Sequence, residues 1–170
     1  MLQGLDSLGW LPHSVTLEAV DGVIRELKGR QLFAAVIIIG ILPGIAEELL
    51  FRGYIQTRLC ERWGTNWGIA VTAVMFGVMH MDLVQGTYAM VIGILLGFLA
   101  ARTGSIIPGI ICHAVNNTIS TLLSASNVSF EGSTAGVISL AAGILVTASS
   151  IAYLRRNLPH AESGPHAVSH

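Results

Sequence analysis

Residues 31–52 read Gln-Leu-Phe-Ala-Ala-Val-Ile-Ile-Ile-Gly-Ile-Leu-Pro-Gly-Ile-Ala-Glu-Glu-Leu-Leu-Phe-Arg. The first sixteen, Gln31 to Ala46, carry no charge, and they run without a break into Glu47, Glu48 and Arg52. An apolar run of this kind reads as the start of a membrane-crossing helix, which needs roughly 20 residues at about 1.5 Å each. The residues after Ala46 are good helix formers apart from Gly53, so the helix is expected to continue to about residue 61. Pro43 removes one intrahelical bond and is expected to kink it. Three ionisable side chains would then lie deep in an apolar segment. Such groups are expensive unless paired or used, and so mark functional candidates.

Composition agrees. The chain has 170 residues, 52% hydrophobic and 11% charged, with mean hydropathy +0.68. Soluble domains carry about 25% charged residues. The expected fold class is therefore all-α, a polytopic membrane bundle of about five transmembrane helices with an N-terminal amphipathic helix. No basic patch or base-stacking cluster is present, which excludes nucleic acid as a partner and leaves the lipid bilayer. Cys60 and Cys112 lack metal-type spacing and read as packing residues.

Residues 1–30 form the amphipathic segment. Leu17, Val20, Val23, Ile24 and Leu27 repeat at helical spacing, which fits a helix on the bilayer surface or a soluble arm equally. After a turn at Gly64-Thr65-Asn66, with Asn66 as a cap, a second membrane helix runs to about Met81. A third spans Leu83 to Arg102, with Gly86, Gly93 and Gly97 admitting close neighbours. A fourth covers about 105–124 and a fifth about 134–154, so the membrane domain is 31–155. Residues 156–170, rich in Pro, Gly, Ser and His, read as a disordered tail. Short-loop Arg and Lys, five on the C-terminal side against three on the other, favour a cytoplasmic C-terminus.

Helical geometry sorts the buried polar groups. Glu48 and Arg52 are four apart on one face and neutralise each other, acid before base. Glu47 points about 100° away and is left for chemistry. Phe76 with His80, and His113 with Asn117, repeat the four-residue spacing on two further helices. Three helices thus each offer one polar face, the way bundle sites are built. A glutamate and a histidine can polarise water, and a second histidine with an asparagine can donate to an oxyanion. Alternatively Glu47, His80 and His113 are a familiar zinc ligand set. No His-Glu-x-x-His, intramembrane aspartate pair or serine-nucleophile motif occurs. Rival readings are a non-catalytic membrane peptide-binding or immunity protein, in which Glu47 is dispensable. A proton-relay transporter ranks last, because no inverted repeat is visible.

Glu47-Glu48-x-x-x-Arg52, Phe76-x-x-x-His80 and His113-x-x-x-Asn117, in this order, resemble the three motifs of the CAAX prenyl endopeptidase and bacteriocin-processing (Abi/CPBP) intramembrane proteases. Phe51-Arg52-Gly53 also looks like that family. The resemblance implies an integral, multi-pass protein of a bacterial-type plasma membrane that hydrolyses a peptide bond. Its substrate would be a membrane-associated peptide or protein, with a prenylated C-terminus or a leader. It implies Glu47 as catalytic base with His80, His113 and Asn117 as oxyanion donors, and Glu48 with Arg52 as the brace. It leaves Zn2+ open as a cofactor, held if present by Glu47, His80 and His113.

Overall fold

The computed structural model describes residues 15–126. These form five helices: α1 (Val15–Glu26), α2 (Gly29–Trp63), α3 (Thr65–Met79), α4 (Leu83–Thr103) and α5 (Ile107–Ala125). Among the described residues there is no strand. The fold is an all-α membrane bundle. Helices α2 and α4 are long and apolar enough to cross a bilayer, and α3 is a shorter apolar helix. The segments expected to form a fifth span and a tail lie outside the described residues.

Helix α2 is one continuous element in which two stretches, Val36–Ile41 and Leu49–Gln56, widen to π-type turns. The first ends just before Pro43. The proline has no N–H and its ring crowds the carbonyl four residues back, so the expected disturbance takes the form of a local widening before the ring. The second begins immediately after Glu48. Its loosened carbonyls find a donor, since the Thr57 hydroxyl reaches Arg52 O and Gly53 O, both at 3.1 Å.

The connections are tight. Gly64 adopts φ +82° and reverses the chain in one residue, so α3 starts at Thr65, with no side-chain cap. Asn66 is therefore an exposed first-turn residue and not the cap. Between α3 and α4 only His80, Met81 and Asp82 intervene. Met81 takes φ +52°, and Asp82 caps α4 by accepting the Gln85 N–H at 2.8 Å.

Helices α3 and α4 pack with backbone against backbone. A Cβ added to Gly77 would stand 2.6 Å from the Gly86 carbonyl, and one added to Gly86 would stand 2.7 Å from that of Gly77. Helix α5 lies along α2, where a Cβ on Gly44 would meet the Ala114 backbone at 2.8 Å. Helix α1 packs on α5. It buries Ile24 and Asp21, and Asp21 pairs with Arg25 at 3.1 Å. Two apolar clusters fill the centre, one of Ile92, Leu96, Leu99 and Cys112, the other of Phe51, Phe76 and Ala89. The outward faces stay apolar, with Phe33, Ile38, Leu42 and Leu49 exposed on α2. A soluble protein hides such residues and a membrane protein presents them to lipid.

Candidate functional site

A stripe at four-residue spacing, Glu48, Arg52 and Gln56, starts just before the second widened stretch of α2 and runs through it. All three are buried, Glu48 completely. Arg52 Nη1 donates to Glu48 Oε1 at 2.6 Å, while Nη2 donates to the Gly93 carbonyl of α4 at 3.1 Å. One turn on, Gln56 Nε2 donates to the Gly97 carbonyl at 2.9 Å. Two side chains of α2 thus hold two carbonyls of α4 in matching register. Gln56 occupies the space a side chain at Gly97 would need, and at Gly93 the α3 residue Ala73 closes in together with Arg52. Cβ atoms added to Gly93 and Gly97 would stand 3.4 Å from Arg52 Nη2 and 2.6 Å from Gln56 Oε1, respectively. The close neighbours expected at those glycines are therefore the Gln56 side chain at Gly97 and, at Gly93, Ala73 of α3 at 3.3 Å beside Arg52, whereas Gly86 meets a helix backbone.

Helix α5 brings His113 to the same carboxylate. Its Nδ1 lies 3.1 Å from Glu48 Oε1, and its Nε2 lies 3.7 Å from Glu47 Oε2. The Glu48–Arg52 pair expected from the spacing is present, and α5 adds a third group to it. Glu48 is shared between Arg52 and His113, and Glu47 has a neighbour on α5. A quarter of the Glu47 side chain remains exposed, against none of Glu48. Glu47 therefore sits at the rim, and Glu48 lies beneath it. Gly109, one turn before His113, gives Glu48 its room, since a Cβ there would be 2.8 Å from Oε2.

Phe76 of α3 is the common wall. The Arg52 guanidinium stands 4.6 Å from its ring centroid. Phe51, His80 and His113 meet the ring edge-on, at centroid distances of 5.0, 5.1 and 5.7 Å. These are the preferred separations for aromatic and cation–π contacts. His80 ends α3, and its Nδ1 lies 2.8 Å from the Phe76 carbonyl. A carbonyl only accepts, so Nδ1 carries the proton. In the neutral ring Nε2 then keeps the lone pair.

The structure thus joins Glu47, Glu48, Arg52 and His113 directly and ties His80 to them through Phe76. Asn117 stands one turn past His113 on α5, half-buried. Among the described residues, both ion pairs that involve a histidine belong to His113. Among them, too, no three His, Cys, Asp or Glu residues form a group that could hold a metal ion. The set Glu47, His80 and His113 as placed does not fit zinc, which takes at least three protein ligands in catalytic sites.

Sequence reading passed over Gln56 and Gly109. Gln56 continues the Glu48–Arg52 stripe, and Gly93 with Gly97 repeats its spacing, so matching the two stripes would have found the clamp. Gly109 had no signal in the sequence alone. Asn116 accepts from the Tyr88 hydroxyl at 2.8 Å and so pins α5 to α4.

Residues 29–119 match the family model described as type II CAAX prenyl endopeptidase Rce1-like. A protein of Bacillus subtilis (strain 168) named as a candidate membrane peptidase, YdiL, is 31% identical over 107 residues. That match covers 58% of this chain and 44% of the relative, so the chain spans less than half of that protein's length. No solved structure matches the chain. The matched segment runs from the start of α2 into α5 and contains the glutamate pair, its arginine, both histidines and Asn117. This chain belongs to the type II CAAX prenyl endopeptidase Rce1-like family.

Proposed function

We propose that the chain is an intramembrane endopeptidase of a bacterial-type plasma membrane. It hydrolyses a peptide bond in a membrane-associated substrate with a prenylated C-terminus or a leader. The observation that carries this reading is the stacked arrangement of the two glutamates about His113. One carboxylate is fully buried and braced by Arg52, and the other is held above it at the accessible rim.

The roles follow from position. Glu47 is the carboxylate that water and substrate reach, and it acts as general base. His80 faces the same water with Nε2, the nitrogen its bond to the Phe76 carbonyl leaves unprotonated. Water attacks the scissile carbonyl carbon as its proton passes to Glu47. The same proton then goes to the leaving amine. His113 and Asn117, on one face of α5, steady the oxyanion. Glu48 and Arg52 fix the α2 face that carries Glu47, and no step passes through a metal.

The test is cleavage of a bilayer-embedded reporter peptide by the reconstituted chain. Glu47→Gln and His80→Ala should each lose at least about a hundredfold in kcat, the usual size of general acid–base catalysis. Asn117→Ala should lose a similar factor. Wild-type rates in both Glu47→Gln and His80→Ala would refute the reading. Retained reporter binding without cleavage by the unmodified chain would favour the peptide-binding alternative.

A further inference from the structure

Among the described residues five buried side-chain polar atoms find no hydrogen-bond partner; apart from Arg25 Nε on α1 and Glu48 Oε2 at the proposed site, they are Arg52 Nε, Gln56 Oε1 and Thr72 Oγ1. Their residues are 2%, 4% and 1% exposed. Their placement is not random. Helices α2 and α3 run antiparallel, and two contacts fix their register. Gly68 lies against Cys60, and eight residues on Phe76 lies against Arg52. Midway between, that register sets Thr72 at the level of Gln56. Arg52 is the next residue of the same α2 stripe. All three orphans therefore belong to one layer between α2, α3 and α4.

Their chemistry is complementary. Gly97 O can only accept, so the Gln56 amide must present its nitrogen there, and its oxygen is left as an acceptor. Arg52 Nε is a donor on the same edge of the guanidinium fork as Nη2, whose partner is Gly93 O. The Thr72 hydroxyl is both donor and acceptor. One donor, one acceptor and one group of either kind, not bonded to one another, match the two donors and two acceptors of a single water. Buried waters make about three bonds to otherwise unpaired polar groups.

We propose that Arg52, Gln56 and Thr72 form a water-binding site buried among the first three bundle helices after α1. The water accepts from Arg52 Nε and donates to Gln56 Oε1 and Thr72 Oγ1. It gives Nε, the third nitrogen of the arginine that braces Glu48, a partner. It is a fixed structural water, separate from the one consumed at Glu47.

Water-edited solid-state NMR on the full chain in lipid bilayers tests this without any measurement of cleavage. The Gln56 side-chain amide and the Thr72 side chain should show water cross-peaks. Leu96 and Leu99, buried to the same degree, should show none at the same mixing time. Thr72→Val should abolish the cross-peak at Gln56, and Thr72→Ser, which keeps the hydroxyl, should retain it. Gln56 and Thr72 as dark as Leu96 in the unmodified chain would overturn the proposal. So would a Gln56 cross-peak unchanged by Thr72→Val. Should that variant fail to fold, the unmodified chain and Thr72→Ser decide.

Discussion

Glu48 and Arg52 show what one buried ion pair does when a third group shares it. Neither side chain has contact with solvent, and Oε1 of the glutamate serves both Arg52 and His113. Taking two charges out of water is costly, so removing one partner is worse than removing both. Arg52→Met should lower unfolding stability by about 3–5 kcal/mol, measured by denaturant titration in detergent. Adding Glu48→Leu to it should recover part of that loss, whereas additive losses would contradict the account. Glu47→Gln, at the rim, should leave stability unchanged within about 0.5 kcal/mol. The distinction between these neighbours was half legible. Spacing paired Glu48 with Arg52, but it carries no information about what another helix brings. The approach of His113 to both glutamates had to be seen.

At the scale of the element, the glycines separate into those that admit a neighbour and those that do not. Gly77 and Gly86 touch backbone to backbone, so Gly77→Ala forces two helices apart. It should destabilise by about 1–3 kcal/mol, as overpacking does. Gly22 on α1 has no atom within 4 Å of an added Cβ. Gly22→Ala should stabilise by about 0.5–1 kcal/mol through helix propensity alone. Thermal unfolding of the two variants side by side checks both signs. Helix positions were readable from uncharged runs and turn residues. Their ends were less so, because a single positive-φ residue, Gly64, did the work expected of a three-residue turn and a cap. The widened turns of α2 were not readable except at Pro43, where the missing donor announces a disturbance. The one that carries Arg52 and Gln56 has no proline, and Gly53 is its only mark.

For the whole molecule, the outward faces set how the bundle meets lipid. Ile38, 62% exposed on α2, and Val23, 64% exposed on α1, look alike by exposure. They differ in surroundings, for α1 lies outside the apolar run. Ile38→Arg should impair membrane integration by about 2.5–3.5 kcal/mol, the penalty for arginine at a span centre. Val23→Arg should leave it unaffected. A translocon insertion assay with a glycosylation reporter reads the difference. Class, helix count in the described region and the three motif faces were open to a sequence reader, since hydropathy and four-residue spacing are local properties. The clamp between Arg52, Gln56 and α4 was not, because it depends on register between segments about forty residues apart. The His80–Met81–Asp82 connector has a consequence for synthesis. Fifteen residues of α3 are short for a span, and its glycine face is complete only against α4. We expect the two to leave the translocon together as a helical hairpin. Placed in a host protein with a glycosylation reporter, α3 followed by α4 should then insert as a hairpin, and α3 by itself should fail to span the bilayer.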